Sequence, residues 1–206
     1  MFVFSNLATS LDGKIATASR VHFPLGTLAD RKQMQVLRKR SDAIVFGAST
    51  LRAYKKTCRV SSAKEQPINV ILSRSLEGIS PTWDFFRDLD VRRVLFVTGE
   101  VPKARLHLFR KTCEVIPVSN AKQLIKELSN RGIENLLVEG GGEVMWFFVK
   151  DNLIDELHLT LTPRILGGTE APTLVDGKGF SPTESLKLKL HRIRRVRDEL
   201  FLVYRK

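Results

Sequence analysis

The sequence predicts an α/β fold: a mixed, mainly parallel central sheet flanked by helices, with antiparallel strands at the C-terminal end. Three observations predict it. Short apolar runs alternate with amphipathic stretches over residues 43–150, the pattern of strands buried on both faces and joined by helices. Several of those runs end on glycine or a hydroxyl residue. From Glu156 onward the style changes to strict apolar/polar alternation, as in antiparallel strands with one wetter face.

The elements follow in order. Phe2 to Ala8 reads as a first strand. Leu28 to Arg40 reads as a helix, with Leu28, Met34 and Leu37 apolar among basic residues. Ala43 to Phe46 is a buried strand closed by Gly47, Ile68 to Leu72 another, and Val94 to Val97 a third, closed by Thr98 and Gly99. Ala121 to Leu128 is a helix stopped near Asn130-Arg131-Gly132. Leu136 to Val138 is a strand running into Gly140, Gly141 and Gly142, and Val144 to Lys150 is the helix after it. Leu157–Leu161, Leu186–Leu190 and Leu200–Val203 are the alternating strands. No repeat, low-complexity segment or linker interrupts the chain, so residues 1–206 are expected to form one domain.

Composition narrows the function. The 206 residues are 43% hydrophobic, enough for a compact core. No run of ~20 apolar residues is present, so no membrane span is expected. The N-terminus has no basic stretch before its apolar run, so no signal peptide is expected. Two cysteines without a CxxC pattern point to a reducing, cytoplasmic setting. The net charge of +12 fits either a nucleic-acid face or an enzyme for anionic small molecules. The basic residues are spread along the chain, denser only from Lys187 to Arg197, and no nucleic-acid motif accompanies them. Nucleic acid is therefore not the expected partner.

Covalent and metal chemistry lack their signatures. No G-x-x-x-x-G-K-[ST], G-x-S-x-G, H-E-x-x-H or EF-hand loop occurs. His22, His107, His158 and His191 lack ligand spacing, and no metal is expected. The strongest positive signal is Val138-Glu139-Gly140-Gly141-Gly142-Glu143, a strand that ends in three glycines and opens a helix. Backbone without side chains lets a diphosphate approach free N–H groups at a helix start. A plain tight turn is the alternative. Gly47 with Thr50 is a similar strand end, though Thr50 also suits a helix cap. Ser73 and Arg74 end a third strand and suit a phosphate monoester, or equally a solvated loop. Thr98 and Gly99 end a fourth. Open α/β sheets bind ligands at such carboxyl ends. Ser10 to Ala16, S-L-D-G-K-I-A, combines an Asp-Gly turn with small residues that suit backbone packed against a ligand.

S-L-D-G-K-I-A at 10–16, L-R-x-x-x-D-A-I at 37–44, V-E-G-G-G at 138–142, L-I-D-E-L at 153–157 and P-R-I-L-G-G at 163–168 together resemble the reductase domain of the bifunctional riboflavin-biosynthesis deaminase/reductase. The resemblance covers nearly the whole chain. It implies the dihydrofolate-reductase-like fold, NADPH as cofactor, a homodimer, and hydride transfer to C1′ of a phosphorylated substrate, 5-amino-6-(5-phosphoribosylamino)uracil or a close analogue. The deaminase signatures H-x-E and P-C-x-x-C are absent, which implies a reductase standing alone. By resemblance, Thr9, Thr50, Ser73 and Gly140 to Gly142 line the cofactor site, with Gly47, Arg74, Thr98 and Gly99 as further positions. Arg38 matches a substrate-binding arginine, Arg59 a second one across a one-residue gap, and Glu139 the catalytic position beside substrate and nicotinamide.

The chain departs from the family pattern at two places. Tyr54 stands where the family often has Asp, and Asn6 stands at a substrate-side position where some members have Lys. Asp30 lies where a dihydrofolate reductase places its pterin-binding carboxylate, or is simply an acid favoured by the helix dipole. A folate or other pteridine reductase on the same fold is thus a second reading. A nucleic-acid-binding or regulatory protein on a retired enzyme scaffold is a third, of another class.

Overall fold

The computed structural model describes residues 1–21, 23–61 and 63–206; His22 lies outside the described residues. β1 (Phe2–Thr9) is followed by α1 (Leu28–Lys39), β2 (Ala43–Gly47), α2 (Ala48–Tyr54), β3 (Ile68–Ser73), α3 (Asp84–Arg87) and β4 (Arg93–Val97). Then come α4 (Lys103–Arg110), β5 (Glu114–Pro117), α5 (Ala121–Ser129), β6 (Asn135–Val138) and α6 (Gly142–Val149), and finally β7 (Glu156–Leu161), β8 (Lys189–Val196) and β9 (Glu199–Arg205). Among the described residues they form a nine-stranded sheet in the order β5-β4-β3-β2-β6-β1-β7-β9-β8. Every pair from β5 to β7 is parallel, whereas β9 runs antiparallel to both β7 and β8.

Burial explains which strands announced themselves. β2 and β3 are buried at every position, because helices cover both faces. One core cluster joins Val3, Val45, Val70 and Leu136 to Leu124 and Leu128 of α5 and Phe148 of α6. The other joins Phe4, Ile44, Phe46 and Leu137 to Leu37 of α1, Leu51 of α2 and Phe109 of α4. Helix starts are capped where the sequence offers a cap: Thr27 Oγ1 accepts from Ala29 N, and Asn120 Oδ1 from Gln123 N at 3.0 Å.

Several expectations are corrected. β7, expected among the antiparallel strands, is antiparallel to β9 but parallel to β1 on its other side; it alternates because only every second residue is buried there. Leu186 to Leu188 lie outside the ladder, which starts at Lys189 opposite Arg205. α6 begins at Gly142, so the third glycine is helical. Arg40 caps α1 and is not part of it, and Leu28 is 72% exposed while Leu37 carries the core contact at 2%. α3, α4 and β5 carried no periodic signal: α4 buries only Phe109 fully, and β5 buries only Val115.

Two carboxylates fasten segments distant in sequence. Asp12 Oδ1 accepts from Ser10 Oγ at 2.6 Å and Leu166 N at 3.0 Å, and Oδ2 from Gly167 N at 2.7 Å, so the S-L-D-G turn is clasped to the P-R-I-L-G-G loop. Those bonds hold its pKa at about 2. Glu156, at the start of β7, accepts from Arg40 Nη2 at 2.9 Å and Arg205 Nε at 2.8 Å, with His158 Nε2 2.7 Å away. Arg40 also lies over the Phe4 ring, 4.2 Å from its centroid. Burial alone would raise the Glu156 pKa; the bonds from His158, Arg205 and Arg40 outweigh it and hold it at about 2.

Glu156→Gln should cost about 1.5–3 kcal/mol of stability at neutral pH, the scale of lost charge-assisted hydrogen bonds. The folded pKa lies below the unfolded value of 4.5, so the contribution is full above pH 4.5 and is lost as pH falls towards 2. Urea titrations of both proteins across that window should show the gap closing. A gap that stays constant down to pH 2 would refute the assignment.

Candidate active site

A cavity of about 1180 Å³ opens at the carboxyl ends of the parallel strands, where residues following β2, β3, β4 and β6 converge under α1 and α2. Its middle is set by β6, the shortest of the central strands, flanked by β2 and β1. Beyond β6 the chain turns through Gly140 and Gly141, with φ of +79° and +65°, conformations that L side chains rarely adopt. A Cβ on Gly140 would come 2.6 Å from Leu7 Cδ2, and one on Gly142 would strike the Asp176 carboxylate and the Thr173 carbonyl. A Cβ on Gly141 would meet nothing within 4 Å and would project into open space. Gly141 is the N-cap residue of α6 and supplies no side-chain cap, so the first-turn N–H groups have no intrahelical partner. Gly141, Gly142 and Glu143 line the cavity.

Glu139 and Arg38 meet here. The Glu139 backbone is fixed by donation to Val45 O at 2.9 Å. Its side chain accepts from Arg38 Nε on one oxygen and Nη2 on the other, both at 2.6 Å, a bidentate pair with little solvent exposure. Burial disfavours the Arg38 charge, but Glu139 more than compensates and holds its pKa above the ordinary value. Arg38 was expected to bind substrate. It is engaged instead, with only Nη1 free of hydrogen bonds among the described residues. Cys58 Sγ lies 3.9 Å from Glu139 Oε2, and burial with that carboxylate pushes the thiol up to about 12, so it offers no thiolate.

The other expected positions divide. Asn6, Gly47, Thr50, Ser73, Arg74 and Thr98 all line the cavity with Glu139, Arg38, Gly141 and Gly142. Thr50 is the third residue of α2 and not its cap, since Gly47 holds the N-cap position. Ser73 Oγ accepts from Leu76 N at 3.0 Å and shapes the turn that exposes Arg74. Gly99 and Gly140 support the wall from behind: Gly99 N donates to Arg74 O at 3.0 Å, and Gly47 N to Gly140 O at 3.3 Å. Thr9 is buried in the sheet opposite Leu161, and its carbonyl accepts from Thr162. Arg59 lies elsewhere: Asp88 and Asp90 hold its guanidinium, with Nη2 2.5 and 2.9 Å from them, and it does not line the cavity.

Reading the sequence passed over Arg20, Arg31, Phe147 and Asp176, which also line the cavity. Asp176 Oδ1 accepts from Thr173 N and Oγ1, and its own N–H donates to Gly142 O at 3.0 Å, so the 173–176 turn closes over the glycines. The run Val175-Asp176-Gly177 carried that signal as an Asp-Gly turn. Among the described residues no group of three or more His, Cys, Asp or Glu side chains is placed to hold a metal ion, and no helix is long and apolar enough to cross a membrane.

The RibD C-terminal domain family profile matches residues 1–202. A 2,5-diamino-6-ribosylamino-4(3H)-pyrimidinone 5′-phosphate reductase of Methanothermobacter thermautotrophicus is 31% identical, over 98% of this chain and 97% of that protein. The riboflavin biosynthesis protein RibD of Bacillus amyloliquefaciens is 34% identical over 87% of this chain and 50% of its own length. The Acinetobacter baumannii RibD structure superposes with a TM-score of 0.82 at 24% identity, over 99% of this chain and 57% of that one, a likeness of fold. The chain thus spans nearly the full length of the former reductase and about half of the RibD proteins.

The Arg38–Glu139 pair should behave as one unit. Arg38→Met should cost about 3 kcal/mol, because it strands a largely buried carboxylate. Glu139→Gln should be costly too, and the double variant should fall short of the sum by about 1–3 kcal/mol. Chemical denaturation of the four proteins closes the cycle; strict additivity would mean that the pair is not coupled.

Proposed function

The chain belongs to the RibD C-terminal domain family, and from that membership we propose that it is an NADPH-dependent reductase of a ribosylaminopyrimidine 5′-phosphate in riboflavin biosynthesis. The observation that carries the reading is one cavity holding both the glycine-built start of α6 and the Glu139–Arg38 pair. The first suits a diphosphate and the second a polar, anionic substrate. The fit to a dinucleotide rests on Gly141, whose missing Cβ leaves open space beside unpartnered first-turn N–H groups.

NADPH supplies a hydride. Everything else asked of the protein is geometric, because hydride transfer needs a donor and an acceptor carbon held together away from water, and no protein nucleophile. The ribosylamine ring opens to an imine, with the amine N–H proton released as one is taken up at the ring oxygen. The hydride is accepted at C1′, and one proton returned to nitrogen completes the ribitylamine, so one hydride and one proton are added in all. Glu139, fixed in one orientation by two bonds from Arg38, lies beside the reacting carbon. Arg38 Nη1 remains to hold substrate oxygen. Thr50, Ser73, Arg74 and Thr98 take the cofactor, with exposed Arg74 meeting the 2′-phosphate. The founding test is oxidation of NADPH by the purified protein with the ribosylaminopyrimidine phosphate present, against no oxidation without it.

Two substitutions probe the cofactor assignment. Arg74→Ala should weaken NADPH binding by about 1.5–3 kcal/mol and leave NADH nearly unchanged, as loss of one charge-assisted contact to the 2′-phosphate demands. Fluorescence titration with both cofactors reads this, and equal losses would sink the role of Arg74.

Gly141→Val should abolish binding of both cofactors, since a β-branched residue is strained at φ +65° and would fill the open space. A thermal melt accompanies the titration. A variant that melts like the parent and still binds NADPH normally would reduce the glycine run to a turn.

A further inference from the structure

The cation-rich run from Lys187 to Arg197 forms β8 and its flanks at the open edge of the sheet, and none of it lines the cavity. Six of its eleven residues are Lys or Arg and none is acidic, so it carries half of the net charge of +12. β8 is exposed at every position but Val196. Several arginines elsewhere are held by acids: Arg38 by Glu139, Arg40 and Arg205 by Glu156, and Arg59 by Asp88 and Asp90. In this run, among the described residues, only Arg195 meets an acid, exposed Asp198 at 3.8 Å, a contact worth little in water. Two of the arginines are fixed without acids. The Arg194 guanidinium lies 4.5 Å from the Phe201 ring centroid, with Gln33 Oε1 of α1 3.5 Å from Nη2, and Arg195 Nε donates to Arg197 O at 2.6 Å. Part of the cost of ordering these side chains on an anion is therefore already met. Charge on an edge strand also deters pairing with another sheet. That role needs neither six cations nor arginines braced on a ring and a carbonyl, and a register shift between Leu190 and Arg192 already disrupts the ladder there.

We propose that this edge is a binding surface for single-stranded nucleic acid, separate from the cavity and independent of the reductase reading. No sequence motif marks it; the surface is made by strand geometry. Alternate residues of a strand stand about 6.8 Å apart, on the scale of successive phosphates in an unstacked nucleic-acid strand. Lys189, Arg192 and Arg194 share one face with Arg205, Val203 and Phe201, their partners on β9. Leu190 and Ile193 lie on the other face beside Tyr204 and Leu202, and are 52% and 58% exposed. Phosphates follow the cations, and unpaired bases turn onto the apolar face, with Tyr204 as a stacking partner. A duplex keeps its bases stacked inside and can use the charge alone. An acidic peptide adding a strand is opposed by the register shift. A flat anionic membrane cannot meet cations carried on both faces, and Arg195 projects with Ile193 while Arg194 projects opposite.

Fluorescence anisotropy of a labelled, mixed-sequence single-stranded RNA of about 12 nucleotides tests this on the full chain. Wild-type affinity should fall with salt, with a slope of log K against log salt of about −3, as about four phosphate contacts at about −0.7 each require. The triple variant Lys187→Gln, Lys189→Gln, Arg192→Gln removes three exposed cations that hold no acid among the described residues. It should weaken binding at least about 10-fold near 100 mM salt and reduce the slope by about 2. The triple variant Lys103→Gln, Arg110→Gln, Lys122→Gln, on α4 and α5, lowers the net charge equally and should change binding by less than about twofold. Thermal melts verify that both variants fold. Duplex RNA of the same sequence, polyglutamate and phosphatidylserine vesicles should each bind at least about fivefold more weakly than the single strand. Absence of RNA binding by the wild type, equal losses in the two triple variants, or equally tight binding of duplex, polyglutamate or vesicles overturns the proposal.

Discussion

The close approach of backbone around the end of β6 constrains the rest of the molecule. β6 lies between β2 and β1; all four of its residues pair with β1 and three of them with β2. The chain must then leave a crowded sheet beside Leu7 and beneath the 173–176 turn, and start a helix within a few residues. Only glycine satisfies the contacts at 140 and 142 and the backbone at 140 and 141. The same turn aims Glu139 at Arg38 and leaves the α6 start uncapped. One packing constraint therefore builds both halves of the cavity, the neutral backbone cradle and the ion pair.

Polar groups around the cavity divide by whether they have a partner. Arg38 and Glu139 satisfy each other, Ser73 is used in a turn, and the Cys58 thiol is held protonated. These groups are rigid before any ligand arrives. Asp30 Oδ1 and Asn6 Oδ1, by contrast, are buried and accept no hydrogen bond among the described residues. Pre-paired groups cost little to keep in place, and unpaired ones gain only when a complementary donor comes. The basic charge follows the same division: Arg40, Arg59 and Arg205 serve acids away from the cavity, whereas Arg74 stands exposed at its edge.

What the sequence disclosed follows from burial. The strands covered on both faces, β2, β3, β4 and β6, were legible as apolar runs, and their glycine and hydroxyl ends located most of the cavity. α4 and β5 were hidden because each buries one residue fully and has no period to detect. The parallel pairing of β7 was hidden because alternation reports how a strand is covered and not its direction. Among site residues, Gly141 and Glu139 were legible from the V-E-G-G-G run. Arg59 was misplaced because a nearby motif says nothing about Asp88 and Asp90, which are far along the chain and capture its guanidinium. Arg38 was found, but its partner was not, since their encounter spans 101 positions.

The carboxylates also sort themselves by the direction in which the fold moves them. Asp12 and Glu156 are surrounded by donors, so their pKa values fall to about 2 and their charges persist wherever the protein is folded near neutral pH. Both act as fasteners, Asp12 across the loops at 10–14 and 164–168, Glu156 across β7, β9 and the end of α1. Asp30 moves the other way, because burial, with Glu199 and Glu139 nearby, outweighs the Thr160 hydroxyl and Arg31. A folded chain gains nothing from an acid kept in that state, since replacing it by a neutral residue would remove the desolvation cost. Groups held at such a cost concentrate where a ligand must be recognised. Asp30 lies on the cavity wall, on the helix that also contributes Arg38, so α1 carries both the arginine of the ion pair and an acid whose burial is only partly offset.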